Sequence, residues 1–168
     1  MMQLTSAMAN KLIKQIREEN QKISYAEQKD SQTTYISGEE PIPSDYDFTA
    51  TQNLLWENNR KIQVLRHAIN RFNMETKLKT LGITVDQALV YMAMLTDDKV
   101  RLDRLRQAKP LERRTGMGGV SEYTKRNYDA ADVEAAYKSI SDTLRTLQLE
   151  LDEVNLTIPF DVDIDIGA

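Results

Sequence analysis

The chain has 168 residues, with 22 Lys and Arg against 26 Asp and Glu, for a net charge of −4. It has no Cys and a single His, which excludes a disulfide framework, a thiol nucleophile, a Cys-based zinc site, an iron–sulfur cluster and any multi-His metal site. Hydrophobic residues make up 40% and charged residues 29%, the balance of a charge-rich helical protein rather than a disordered chain, and the length fits one domain over 1–168.

The first predicted element is an amphipathic helix over 3–29. Leu4, Met8, Leu12, Ile16 and Ile23 recur at helical spacing, with Thr5 or Ser6 as the cap. The N-terminal segment has no signal-peptide core, and no apolar run approaches the ~20 residues of a transmembrane helix. The expected location is the cytoplasm. Turn formers and carboxylates then break the pattern in an irregular connection over 30–48, where Thr33, Thr34, Tyr35 and Ile36 are candidates for a short strand.

A second helix is predicted over 49–78. Leu55, Ile62 and Ile69 lie seven apart, Leu65 and Phe72 fill the intervening track, and Asn58 interrupts it, which makes a heptad seam. Gly82 ends this element. Thr84 and Gln87 form a capping box for a third helix, whose apolar face carries Val85, Leu89, Met92, Leu95, Leu102 and Leu105 and which stops near Ala108, before Pro110. Over 109–128 the Gly cluster and the strand formers Tyr123, Thr124 and Tyr128 predict a Gly-rich hairpin or arm.

The fourth helix has the strictest seam: Val133, Tyr137, Ile140, Leu144, Leu147, Leu151 and Val154 follow a 4-3-4-3-4-3 spacing behind Asp129 as cap. The tail over 156–168 alternates, with Leu156, Ile158, Phe160, Val162, Ile164 and Ile166 on one parity and Asp161, Asp163 and Asp165 on the other. Period two means an extended strand, which must pair with its own chain or with another subunit. The fold class is therefore mainly α: four long helices in an antiparallel bundle or coiled-coil hairpins, with minor β from the 109–128 region and the C-terminal tail.

Familiar chemical motifs fail on inspection. Asp161, Asp163 and Asp165 open like a calcium loop, but Ile166 stands where Gly is needed and the twelfth-position carboxylate is missing. The Gly116–Gly119 region matches neither a P-loop nor a Rossmann turn. His67 has no readable catalytic partner. Glu18, Glu57, Glu75 and Asp98 lack the Glu-x-x-His pairs of a carboxylate-bridged metal bundle. Asn70, Asn73 and Thr76 sit among apolar positions as register-fixing polar groups, and Trp56 is either an interface anchor or a cover for the bundle end. No catalytic, cofactor-binding or metal-binding residue is assigned, and no cofactor or small-molecule substrate is indicated.

Charge is unevenly spread. Residues 99–126 hold nine basic and three acidic residues, whereas 127–168 hold two basic and ten acidic ones. Lys109, Arg113, Arg114, Lys125 and Arg126 are the candidate anion contacts of the basic stretch. Contact between the oppositely charged segments, within a subunit or across an interface, is one reading of the asymmetry. A solvated helix face is the other.

Several runs carry a family resemblance. They are Leu4-Thr-Ser-Ala-Met8, Ile69-Asn70-Arg71-Phe72-Asn73 with Thr76-Lys77-Leu78, Thr84-Val-Asp-Gln-Ala88-Leu89, the Arg/Leu-rich third helix ending at Lys109, and Leu151-Asp-Glu-Val-Asn155. With these, the chain resembles the septicolysin-like family of small bacterial helical proteins from Leu4 to about Leu156. The family has no established activity and no catalytic residues to carry over. The resemblance implies long antiparallel helices and a homo-oligomer, a hexamer among the options. The 30–48 connection is longer here than in the family pattern, Leu156 replaces an aromatic, and the acidic strand is extra.

The expected function is that of a non-enzymatic structural or interaction protein forming a homo-oligomer through its helical seams. The alternative is nucleic-acid or anionic-surface binding through 99–126. A membrane-active toxin follows only from the family name.

Overall fold

The computed structural model describes residues 1–164. Four helices make up most of the chain, and among the described residues the strands form two separate antiparallel pairs. The order is strand β1 (Met2–Thr5), helix α1 (Ser6–Asp30), helix α2 (Phe48–Glu75), helix α3 (Val85–Gln107), strands β2 (Leu111–Thr115) and β3 (Ser121–Lys125), helix α4 (Ala130–Thr157) and strand β4 (Pro159–Val162). No helix among the described residues is long and apolar enough to cross a membrane. The chain divides into two compact units, one built from residues 1–75 with those from 153 onward, the other from 76–152.

In the first unit β1 pairs with β4, Leu4 opposite Phe160 and Met2 opposite Val162. Residues 3–5, expected as helix, are strand instead. The Thr5 hydroxyl accepts the Met8 N–H at 3.3 Å, so Thr5 is the cap and the residues before it are free to extend. The tail therefore finds its partner within its own chain. Its strand begins later than its alternation suggested, because α4 runs on to Thr157 and leaves Leu156 helical and exposed. Asp165 and Ile166 lie outside the described residues.

Helices α1 and α2 run in opposite directions along one another. Ala9, Ile13 and Ile16 of α1 cluster with Leu65 and Ala68 of α2 and with Leu4 and Val162 of the strand pair. Further along, the Asn58 amide donates to the Asn20 oxygen at 2.9 Å, and Asn20 donates to Asn59 at 3.2 Å. Asn58 is buried, and this bond replaces the one to water that burial removed. Phe72 meets Phe160 with ring centroids 4.9 Å apart.

The connection over 31–47 holds no strand, contrary to the propensity of Thr33–Ile36. Its residues up to 45 are all exposed, and no neighbouring strand edge offers them a ladder. Side chains tether it instead: the Ser44 hydroxyl donates to the Asp30 carbonyl at 2.7 Å and the Tyr46 hydroxyl to Glu27 at 2.5 Å.

The second unit opens on a tight reversal. Helix α2 stops at Glu75 rather than at 78, because the following backbone bonds forward. The Val85 N–H donates to Thr76, Leu78 to Ile83 and Gly82 to Leu78, with Gly82 at φ +65°. Leu78 is buried in this turn. The capping box at Thr84 and Gln87 is complete in both directions, at 3.2 and 3.0 Å. Helix α4 returns along α3. Near its start Glu134 takes Arg106 at 2.6 Å, the Tyr128 hydroxyl donates to the Leu105 carbonyl, and the Tyr137 ring receives Lys99 and Arg106 at 5.3 and 4.0 Å. Toward its far end Glu150 accepts the backbone N–H groups of Lys79 and Thr80.

Candidate interaction surface

The predicted seams face inward. Leu55, Ile62, Ile69, Tyr137, Ile140 and Leu144 are half-buried, while Leu65, Phe72, Val133, Leu147, Leu151 and Val154 are buried. On α2, Ile62, Leu65 and Ile69 pack in the cluster with α1, and Phe72 meets Phe160. The largest exposed apolar surface lies elsewhere.

It lies on α3. Residues 88–95 read Ala-Leu-Val-Tyr-Met-Ala-Met-Leu, an uninterrupted apolar and aromatic run of just over two turns. A run longer than one turn points side chains in every direction, and a helix apolar all round is normally enclosed. Only one side of this one is covered. Val85, Ala88, Leu95 and Leu102 are buried, but Leu89 is 48%, Val90 59% and Met94 63% exposed, and Tyr91 and Val100 are exposed as well. Leu89, expected on the buried face, points out, and Ala88 takes its place inside.

The second uncovered element is the hairpin β2–β3. Its register sets Leu111 opposite Lys125, Arg113 opposite Tyr123 and Arg114 opposite Glu122. Pleating puts Leu111, Arg113, Tyr123 and Lys125 on one face, and Glu112, Arg114, Glu122 and Thr124 on the other. The candidate anion contacts are thereby split. Arg113 and Lys125 share a face, and Arg113 donates to the Ser121 hydroxyl at 2.7 Å. Arg114 lies on the opposite face, 3.4 Å from Glu112. Arg126 stacks over Tyr128 at 5.4 Å, and Lys109 is exposed at the base. Leu111, Val120 and Tyr123 are exposed, and Met117 at the tip is 99% exposed, beside Gly118 at φ +78°. A lone two-stranded ribbon is marginal in water, so apolar side chains on one have reason to be covered.

The other sequence candidates do not converge. His67 and Asn70 are exposed, Asn73 and Thr76 half-buried, and Trp56 exposed. Glu18, Glu57 and Asp98 pair along their own helices with Lys14, Lys61 and Arg101. Among the described residues no three His, Asp or Glu are grouped to hold a metal ion. A cleft of about 830 Å³ lies under the 31–47 connection, between Glu27, Asp30, Thr34, Pro43 and Tyr46. The Glu27 hydrogen bond, helped by partial burial and nearby negative charge, pushes the Tyr46 phenol up to about 12.

Sequence reasoning missed Glu150. Burial works to raise its pKa, but hydrogen bonds from Thr80 and Lys79 and the positive charge of Lys79 outweigh it and hold the carboxyl below its ordinary range. The available signal was its position, three residues after Leu147 and next to Leu151, on the buried side of α4.

Neither a protein-family model nor any curated protein matches the chain. Its structure is similar to the crystal structure of a functionally unknown conserved protein from Corynebacterium diphtheriae, with a TM-score of 0.61 and 17% sequence identity over 95% of this chain and 100% of that one. The likeness is one of fold.

Proposed function

We propose that this chain is a non-enzymatic structural or interaction protein that assembles with copies of itself, its helices forming an antiparallel bundle or coiled-coil hairpins. The observation that carries the reading is the apolar run over 88–95, which its own unit covers on one side only. Kinship with the septicolysin-like family, a cytoplasmic location and a hexamer as one possible end state belong to the same proposal.

Light scattering at micromolar concentration tests it. A defined oligomer is expected, and a monomeric mass overturns it.

One observation favours a second reading. Arg113, Lys125 and Tyr123 share a hairpin face, a basic and aromatic combination suited to nucleic acid or an anionic surface. Salt-dependent binding to single-stranded DNA, weakened in Arg113→Ala, supports that reading; no binding at low salt ends it. The toxin reading rests on the family name alone, and liposomes that keep their dye dispose of it.

A further inference from the structure

We infer that the occupant of the uncovered α3 face is the β2–β3 hairpin of a second copy, the two copies exchanging arms reciprocally. The inference deepens the self-assembly reading and rests on it. Three observations carry it.

The first is reach. The centre of the apolar run, Tyr91, lies roughly 24 Å along the helix axis from Gln107. The hairpin strands have five residues each and extend roughly 17 Å. With the three linking residues 108–110 the arm could just span that distance, but it does not fold back: the structure leaves both surfaces bare. Two α3 helices placed side by side in opposite directions cover both. Each arm then starts beside the other copy's Val85 and lies along 88–95. This is a two-fold arrangement, in which the same pair of patches is used twice.

The second is charge. Residues 85–100 of α3, which hold the exposed apolar side chains, carry Asp86, Asp97 and Asp98 against Lys99, a net −2, with Asp98 paired to Arg101. The arm over 109–126 carries five basic residues, the candidate anion contacts, against Glu112 and Glu122, a net +3. A mildly acidic patch therefore faces a basic arm. The anion contacts then serve the second copy's carboxylates, with opposite charges bordering an apolar centre.

The third is extent. Five large apolar side chains on the helix, from Leu89 to Val100, and four on the arm, from Leu111 to Tyr123, are exposed in each copy, a supply of apolar surface suited to the core of an interface.

The absence of cysteine gives a direct test. A Val90→Cys chain and a Tyr123→Cys chain are mixed in equal amounts and oxidised, with Lys14→Cys, exposed on α1, as the control partner. The expected result is a disulfide-linked dimer of the two different chains as the main product, at least tenfold above either control mixture. Met94→Glu is expected to lower the mass seen by light scattering while far-UV circular dichroism stays unchanged. A wild-type monomer overturns both the inference and the self-assembly reading. An oligomer that gives no 90–123 link and tolerates Met94→Glu overturns the arm exchange alone. A disulfide forming only inside a Val90→Cys/Tyr123→Cys double-variant chain also overturns it, since the arm then folds back on its own helix.

Discussion

Replacing Glu150 tests how the α2–α3 turn is held. The carboxylate accepts the Lys79 N–H and, at 3.2 and 3.3 Å, the Thr80 N–H. Glu150→Ala leaves two backbone donors without their partner, at about 1–3 kcal/mol each. Lys79 and Thr80 are exposed, so water takes up part of the loss, and the lower end applies: about 2 kcal/mol in all. With a urea dependence of about 2 kcal/mol per M, the unfolding midpoint falls by about 1 M. Glu150→Gln keeps the size and one acceptor oxygen and is expected to lose about half as much.

The pH dependence has a definite sign. The folded pKa lies below the unfolded value of about 4.3. The carboxylate's contribution is therefore fully present above that pH and is lost as pH falls through the folded value. The gap between wild type and Glu150→Gln narrows in acid. Urea melts at pH 7 and pH 3.5, with amide exchange followed at Lys79 and Thr80, check both points. A midpoint for Glu150→Ala within about 0.2 M of wild type, or a Glu150→Gln gap that is the same at both pH values, refutes the reasoning.

The remaining predictions concern single side chains. Asn58→Ala breaks the buried bond to Asn20 and is expected to cost about 1–2 kcal/mol in a chemical melt. Thr84→Ala removes half of the capping box and costs about 1 kcal/mol, read as a lower thermal midpoint. In a spectrophotometric titration Tyr46 ionises later than an ordinary tyrosine, near pH 12, and that late component disappears in Tyr46→Phe.

Local signals that involve neighbours in sequence were legible. Thr84 and Gln87 are three apart, and their capping box is present. The 109–128 turn residues and strand formers make the hairpin. The heptads of α2 and α4 mark side chains that are buried or half-buried. What escaped depends on partners far along the chain. Nothing in residues 2–5 announces a strand, because their partner is Pro159–Val162. Thr33–Ile36 have the propensity but no edge to pair with. On α3 the periodicity picked Leu89 as a core residue, because in a run apolar on every side no face stands out. Glu150 was invisible because its partners are main-chain N–H groups, which every sequence supplies.

The pairing of β1 with β4 has a consequence for the order in which the protein takes shape on a ribosome. Synthesis proceeds from the N-terminus at ~5–20 residues per second. The first unit, although most of it is made before the second, lacks the strand that covers Leu4 until Val162 has emerged. The second unit, 76–152, is continuous and available sooner. During the interval α1 and α2 have each other, but β1 has no ladder. Of the elements described, β1 is thus made before the others and waits longest for its partner, and a ribosome stalled before residue 159 displays an open strand edge.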